Sequence, residues 1–190
     1  MPTIISHAAV PLALGLAAGT RWVPPRLLWA GVALSMLPDL DVTGFHMGVP
    51  YGSTLGHRGF SHSLLAAALA AGLLAGFTGR ERFRQYLGHL LFLFIAMASH
   101  GLLDMLTTGG KGVELLWPWS AHRFFAPWQV IRVSPLKLSL LLGERGLTIA
   151  RSELLWIWLP AGAFSLLGIL LRRFACHSHS PRNIIQTPSP

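Results

Sequence analysis

Apolar residues along this chain gather into five runs separated by polar or basic stretches. The runs cover residues 4–20, about 27–38, 63–79, 87–107 and 153–171. A helix rising 1.5 Å per residue needs about 20 apolar residues to cross a hydrocarbon core of about 30 Å. The fourth and fifth runs reach that length, and the first and third come near it. The second spans only about 18 Å as a helix, so it ends inside the bilayer or begins earlier, near Trp22. The pattern predicts an all-α, multi-pass membrane protein of about five transmembrane helices, with residues 1–175 as one membrane-embedded domain. No basic segment precedes the first run, so residues 4–20 are expected to be a retained helix and not a cleaved signal. Trp117, Trp119 and Trp128 favour the membrane–water interface, which predicts that residues 108–151 lie along the surface. Within them, residues 136–142 are apolar but too short to cross. The tail, 176–190, is rich in Ser and Pro and is expected to be disordered.

Composition sharpens this picture. Of the 190 residues, 52% are hydrophobic and only 12% charged, about half the charged share of soluble domains. A soluble chain so poor in charge would expose large apolar patches. The formal net charge of +8 comes from Arg and Lys scattered between the apolar runs. No nucleic-acid-binding module accompanies them, so the expected partners are membrane lipids and not nucleic acid. A single cysteine, Cys176, leaves no intramolecular disulfide. With five crossings the basic residues divide 8 to 7 between the two sides. The short basic connections 21–26 and 80–84 hug helix ends and point to the cytoplasm. The N-terminus, residues 39–62 and residues 108–151 then fall on the outer side.

Alternation of crossings brings the ionisable residues together. His7, Asp39, Asp41, His57, Arg58, His62, His100 and Asp104 all fall at one membrane face, whichever way round the protein sits. Ionisable groups within membrane segments are costly and usually mark function. His100 and Asp104 are spaced i, i+4 and project from one helical face, which Thr107 continues. Imidazole nitrogen and carboxylate oxygen both suit a Zn²⁺-type ion. His57 and His62 lie five residues apart, about 140° around a helix, so one of them is expected from a preceding loop. The structural alternatives are Asp39 as a helix stop with Pro38, Asp104 paired to Arg58, and Ser61 as a helix N-cap. His89 lies about 16 Å from His100 along the same helix and is read as structural. His46 and His122 stay open, and His177 and His179 form a weak pair in the tail.

Three strings occur in order: Leu37-Pro38-Asp39-Leu40-Asp41, His57-Arg58-Gly59-Phe60-Ser61-His62-Ser63, and Ser99-His100-Gly101-Leu102-Leu103-Asp104-Met105-Leu106-Thr107. With His7 and Leu116-Trp117-Pro118 they closely resemble the YdjM-like family of bacterial inner-membrane, metal-dependent hydrolases, over roughly residues 4–120. That family is distantly similar to zinc-dependent phospholipase C and the S1/P1 nucleases. The likeness implies His7, Asp39, His62, His100 and Asp104 as metal ligands, with His57 a second candidate for the middle His. No His-x-x-x-Glu occurs here, so the resemblance implies one or two ions, not three.

The leading expectation is therefore a membrane-bound, metal-dependent hydrolase in the bacterial inner membrane, its site on the outer face. A divalent metal, zinc above all, would activate water at neutral pH. Asp41 is expected as base or second-ion ligand. Arg58 is expected to hold an anionic group, because its fork matches phosphate. Both are candidate catalytic residues, and a lipid-like phosphoester is the expected substrate. Two alternatives compete: a proton or metal transporter, and a non-catalytic scaffold whose metal ties helices together.

Overall fold

The computed structural model describes residues 1–78, 83–135 and 143–178. A 3₁₀ turn, Ile4–Ala8, runs into helix α1, Ala9–Ala18. Gly19 ends α1 at φ +80, a conformation that glycine adopts without penalty. Helix α2, Pro25–Met36, opens on a proline, whose missing N–H would be unpaired there in any residue. Pro38 then marks the change to an 11-residue 3₁₀ segment, Leu37–Met47. A short 3₁₀ turn, Phe60–His62, leads to α3, Leu64–Thr78. Helix α4 spans Phe83–Met105. Helix α5, Glu144–Glu153, continues through a π-helical turn, Leu154–Trp158, into α6, Leu159–Ser178. Among the described residues there are no β-strands, only the isolated bridges Thr107–Ile131 and Val113–Phe124.

Helix α4 is the centre of the packing, with α3 on one side and α2 on another, while α6 lies against α1. Small residues set these contacts. Ala67, Ala71 and Ala75 recur every fourth position of α3 and are fully buried. A Cβ on Gly31 would sit 2.5 Å from the ring of Phe92, and one on Gly168 2.5 Å from Ala17 Cβ. Where lipid removes the hydrophobic drive between helices, such close backbone approach supplies the attraction by dispersion.

The all-helical expectation agrees with the structure; the count of spans does not. Two helical stretches are long and apolar enough to cross a membrane, Phe83–Met105 and the combined Glu144–Ala175. The apolar helices Ile4–Ala18 and Leu64–Thr78 are shorter, within 10–17 residues, and α2 has 12. The sequence runs overestimate helix length because apolar residues continue into turns: Gly19 ends the first, and Leu37 and Pro38 belong to 3₁₀ backbone. Helix α5 begins within the stretch 108–151, expected to follow the surface, and runs on to Glu153, and α6 carries residues 176–178 of the expected disordered tail as helix. The rest of that tail, and the apolar stretch 136–142, lie outside the described residues.

Candidate metal centre

The site forms where α4 ends. His100 and Asp104 project from one face of α4, as their spacing requires. The 3₁₀ segment after α2 carries Asp39 and Asp41 to the same place, and the turn before α3 carries His57 and His62. Gly101 permits the approach, because a Cβ there would lie 2.8 Å from His62 O. Gly59 is equally constrained, with Thr54 O only 2.0 Å from a hypothetical Cβ.

Two groups of side chains result. The inner one is Asp39, His62, His100 and Asp104, all buried, each offering a ligand atom within 4.8 Å of the others. His100 Nε2 lies 3.4 Å from Asp39 Oδ1 and 3.0 Å from His62 Nε2. His62 Nε2 lies 3.6 Å from Asp104 Oδ2. His7 stacks on His100 with ring centroids 3.6 Å apart, its Nε2 3.6 Å from Asp104 Oδ1 and 3.7 Å from Asp39 Oδ2. The outer group is Asp41, His57 and His62. Asp41 Oδ1 accepts a 2.6 Å bond from His57 Nδ1, and Oδ2 accepts from Arg58 N and Ser61 Oγ.

Tautomers follow from these partners. His100 Nδ1 lies 2.7 Å from Ser35 O; a carbonyl only accepts, so Nδ1 holds a proton and Nε2 is the nitrogen left to face a metal. His62 Nδ1 lies 3.0 Å from Ser61 Oγ, which itself donates to Asp41, so His62 also presents a bare Nε2. Burial, then the neighbouring His100, holds His62 well below the ordinary imidazole value, favouring the neutral form that binds metals. The two Nε2 atoms face each other at 3.0 Å. Around them both oxygens of Asp39 and of Asp104, and both ring nitrogens of His7, are buried with no hydrogen-bond partner. Buried polar atoms left unpaired cost about 1–3 kcal/mol each, more when charged. Two imidazole nitrogens beside two buried carboxylates, one of them also met by Arg58, are a donor set for a cation, so these residues fit a divalent metal.

Arg58 sits beneath this cluster, fully buried at φ +64, a left-handed conformation uncommon outside glycine that marks local strain. Its Nε is 3.0 Å from Asp104 Oδ2, Nη1 donates to Gly109 O and Nη2 to Thr107 Oγ1. The pairing with Asp104, foreseen only as a structural alternative, is thus present. The guanidinium expected to hold an anionic ligand faces protein groups and is closed to solvent.

Of the sequence candidates, Asp39, His62, His100 and Asp104 meet in one group, His7 borders it, and His57 and Asp41 stand outside it around His62. His89 is remote, its Nδ1 3.2 Å from Thr78 Oγ1. Sequence reasoning missed Glu153, whose carboxylate accepts from Thr3 N, Thr3 Oγ1 and Ser6 Oγ and so ties the segment bearing His7 to α5. A lone carboxylate at the head of an apolar run was its signal. It also missed Ser35 O, a backbone atom without any sequence signature.

The family described as YdjM inner membrane protein matches residues 1–175. This chain belongs to that family. It is 54% identical to Inner membrane protein YbcI of Escherichia coli K12 over 171 residues, covering 90% of this chain and 97% of YbcI. Inner membrane protein YdjM, of Escherichia coli K12 and of Shigella flexneri, is 34% identical over 112 residues, 54% of this chain and 53% of each relative. No solved structure matches.

Proposed function

We infer that this protein is a metal-dependent hydrolase of the bacterial inner membrane acting on a phosphoester, lipid-like substrate. One observation carries the reading: Asp39, His62, His100 and Asp104 converge in a buried group in which Asp39 has no hydrogen-bond donor and Asp104 has only ion-pair neighbours, with Arg58 Nε at 3.0 Å. Zinc suits this mixture of imidazole and carboxylate. A divalent ion there would supply Lewis acidity toward a phosphoryl or acyl oxygen and make water a better nucleophile at neutral pH. The chain's own residues do the rest. Ser35 O and Ser61 fix the tautomers of His100 and His62. Asp41, engaged by His57, Arg58 N and Ser61, acts as a positioning residue for His62 in the manner of a carboxylate behind a metal-bound histidine. Arg58 orients Asp104 and offsets its charge.

Location follows from the same reading. The relatives are named inner membrane proteins. Helix α6 also exposes Phe164, Leu166, Leu167 and Leu171, a face that water disfavours. In this reading α4 and the α5–α6 rod cross the bilayer, and α1, α2 and α3 lie within it beside α4, giving the five-helix arrangement. The metal centre then opens toward the outer face.

The complete burial of the four ligands favours a second reading, a closed ion that only ties helices together. Elemental mass spectrometry of the detergent-purified protein separates the outcomes. One ion per chain, lost in His100→Ala/Asp104→Ala, supports a metal centre, and no ion after reloading sinks it. Cobalt substitution then decides between the two roles. Absorption bands that move on adding phosphate indicate an open coordination position and a hydrolase; bands that do not move indicate the structural ion.

A further inference from the structure

A second polar feature lies at the same end of α4, outside the metal centre. A cavity of about 270 Å³ opens there, lined by Thr108, Arg132, Val133, Arg145, Thr148 and Ile149. That is close to the lower bound, about 300 Å³, of small-molecule sites, enough for a headgroup and too little for a whole lipid. Of its lining residues, Ile149 is buried. Its rim carries two arginines from different segments, both exposed. No carboxylate among the described residues pairs with either, although Glu144 precedes Arg145 in the chain.

The backbone that presents these groups is fixed from both sides. Thr108 N donates to Ile131 O, and Ile131 N donates to Leu106 O. Val133 N donates to Thr108 Oγ1, and Arg132 N donates to Ser152 Oγ of α5. The Thr108 hydroxyl therefore accepts one bond and retains its own proton for a further acceptor. Two unpaired guanidinium forks and a hydroxyl donor around a small cavity are the complement of a tetrahedral oxyanion. Thr107, the preceding residue, binds Arg58 behind Asp104, so cavity and metal centre occupy the same end of the molecule.

We propose that this cavity is a binding site for a phosphate group, supplied by an anionic phospholipid headgroup or by free phosphate. The site stands whether or not the metal centre is catalytic. The test uses the full chain in non-ionic detergent, titrated with dihexanoylphosphatidylglycerol, inorganic phosphate and uncharged dihexanoylglycerol. Binding of the phospholipid, no binding of dihexanoylglycerol, and an affinity at least about tenfold weaker in Arg132→Gln/Arg145→Gln support the site. Inorganic phosphate that binds with the same arginine dependence identifies free phosphate as a sufficient ligand; phospholipid binding without it identifies the lipid as the source. Phospholipid binding unchanged within about twofold in the double variant, or equal binding of dihexanoylglycerol, overturns the proposal. Metal content is measured on the same samples. It stays at the wild-type level in the double variant, so that a failed phosphate site and a failed metal centre are told apart.

Discussion

The two His–Asp groups share His62 and lie side by side, yet they differ in one physical respect. In the outer group the Asp41 carboxylate is satisfied: His57, Arg58 N and Ser61 all donate to it. In the inner group, where both carboxylates are fully buried, Asp39 has no hydrogen-bond donor, and Asp104 is met, imidazoles aside, only by ion-pair contacts from Arg58 Nε at 3.0 Å and the N-terminal amine at 3.9 Å. Residue type does not separate the two, since each holds carboxylate and imidazole. Saturation does. A carboxylate whose lone pairs are spent on protein donors positions its neighbours; one buried with its lone pairs free requires a cation. His62 joins them, Nδ1 to the saturated side and Nε2 to the open one.

The sharpest way to break this comparison is Asp104→Asn. It removes an inner ligand and leaves Arg58 buried without its counter-charge. Metal content should fall to background, and thermal unfolding should show a loss of about 3–5 kcal/mol, the usual result of splitting a buried ion pair. Next comes removal of the ion from the wild type. Chelation should lower the unfolding midpoint and reloading restore it, the difference growing with metal concentration to about 4 kcal/mol at a thousandfold excess over Kd. If chelation leaves the midpoint unmoved, the inner carboxylates are not a metal site. Asp41→Asn should act more gently, weakening metal affinity about 10–100-fold while stoichiometry at saturation is kept, as for carboxylates behind metal-bound histidines. A complete loss of the ion would place Asp41 among the ligands and erase the distinction. Smallest is His89→Ala at the far end of α4, which removes one bond to Thr78. It should change stability by about 1 kcal/mol and metal content not at all. A measurable drop in metal there would show that the cluster depends on the whole helix and not on its end.

A similar contrast separates the two long apolar helices. Half of the apolar window of Phe83–Met105 is buried within the protein, against 6% for Glu144–Ala175. Both are apolar enough to cross a membrane, with mean hydropathies of 1.6 and 2.1. Neighbours make the difference: α4 has α2 and α3 on its flanks, while α6 has mainly α1. The polar residues of α4 stand toward its two ends, and His89, Ser99, His100 and Asp104 among them are buried within the protein.

Much of the site was legible before any coordinates. His7, Asp39, Asp41, His57, Arg58, His62, His100 and Asp104 were all singled out in the sequence, and the structure gathers them at one end of α4, although the five crossings from which that gathering was expected are not supported by the helix lengths. Periodicity put His100 and Asp104 on one face. The five-residue gap between His57 and His62 required non-helical backbone, and both precede α3. What could not be read were the partners. Whether Arg58 faces a ligand or Asp104 depends on a left-handed backbone at a non-glycine residue, and that is imposed by packing. Helix length was overestimated because hydropathy does not register where 3₁₀ backbone replaces α.

Membrane character, helical class and the choice of His and Asp candidates were decided by sequence alone, because they depend on hydropathy, on 3.6-residue periodicity and on local motifs. Only the tertiary structure decided which carboxylate is saturated, which imidazole nitrogen is bare, and where Arg58 spends its charge. Those properties turn on ångström-scale contacts between residues far apart in the chain, to which no local pattern responds.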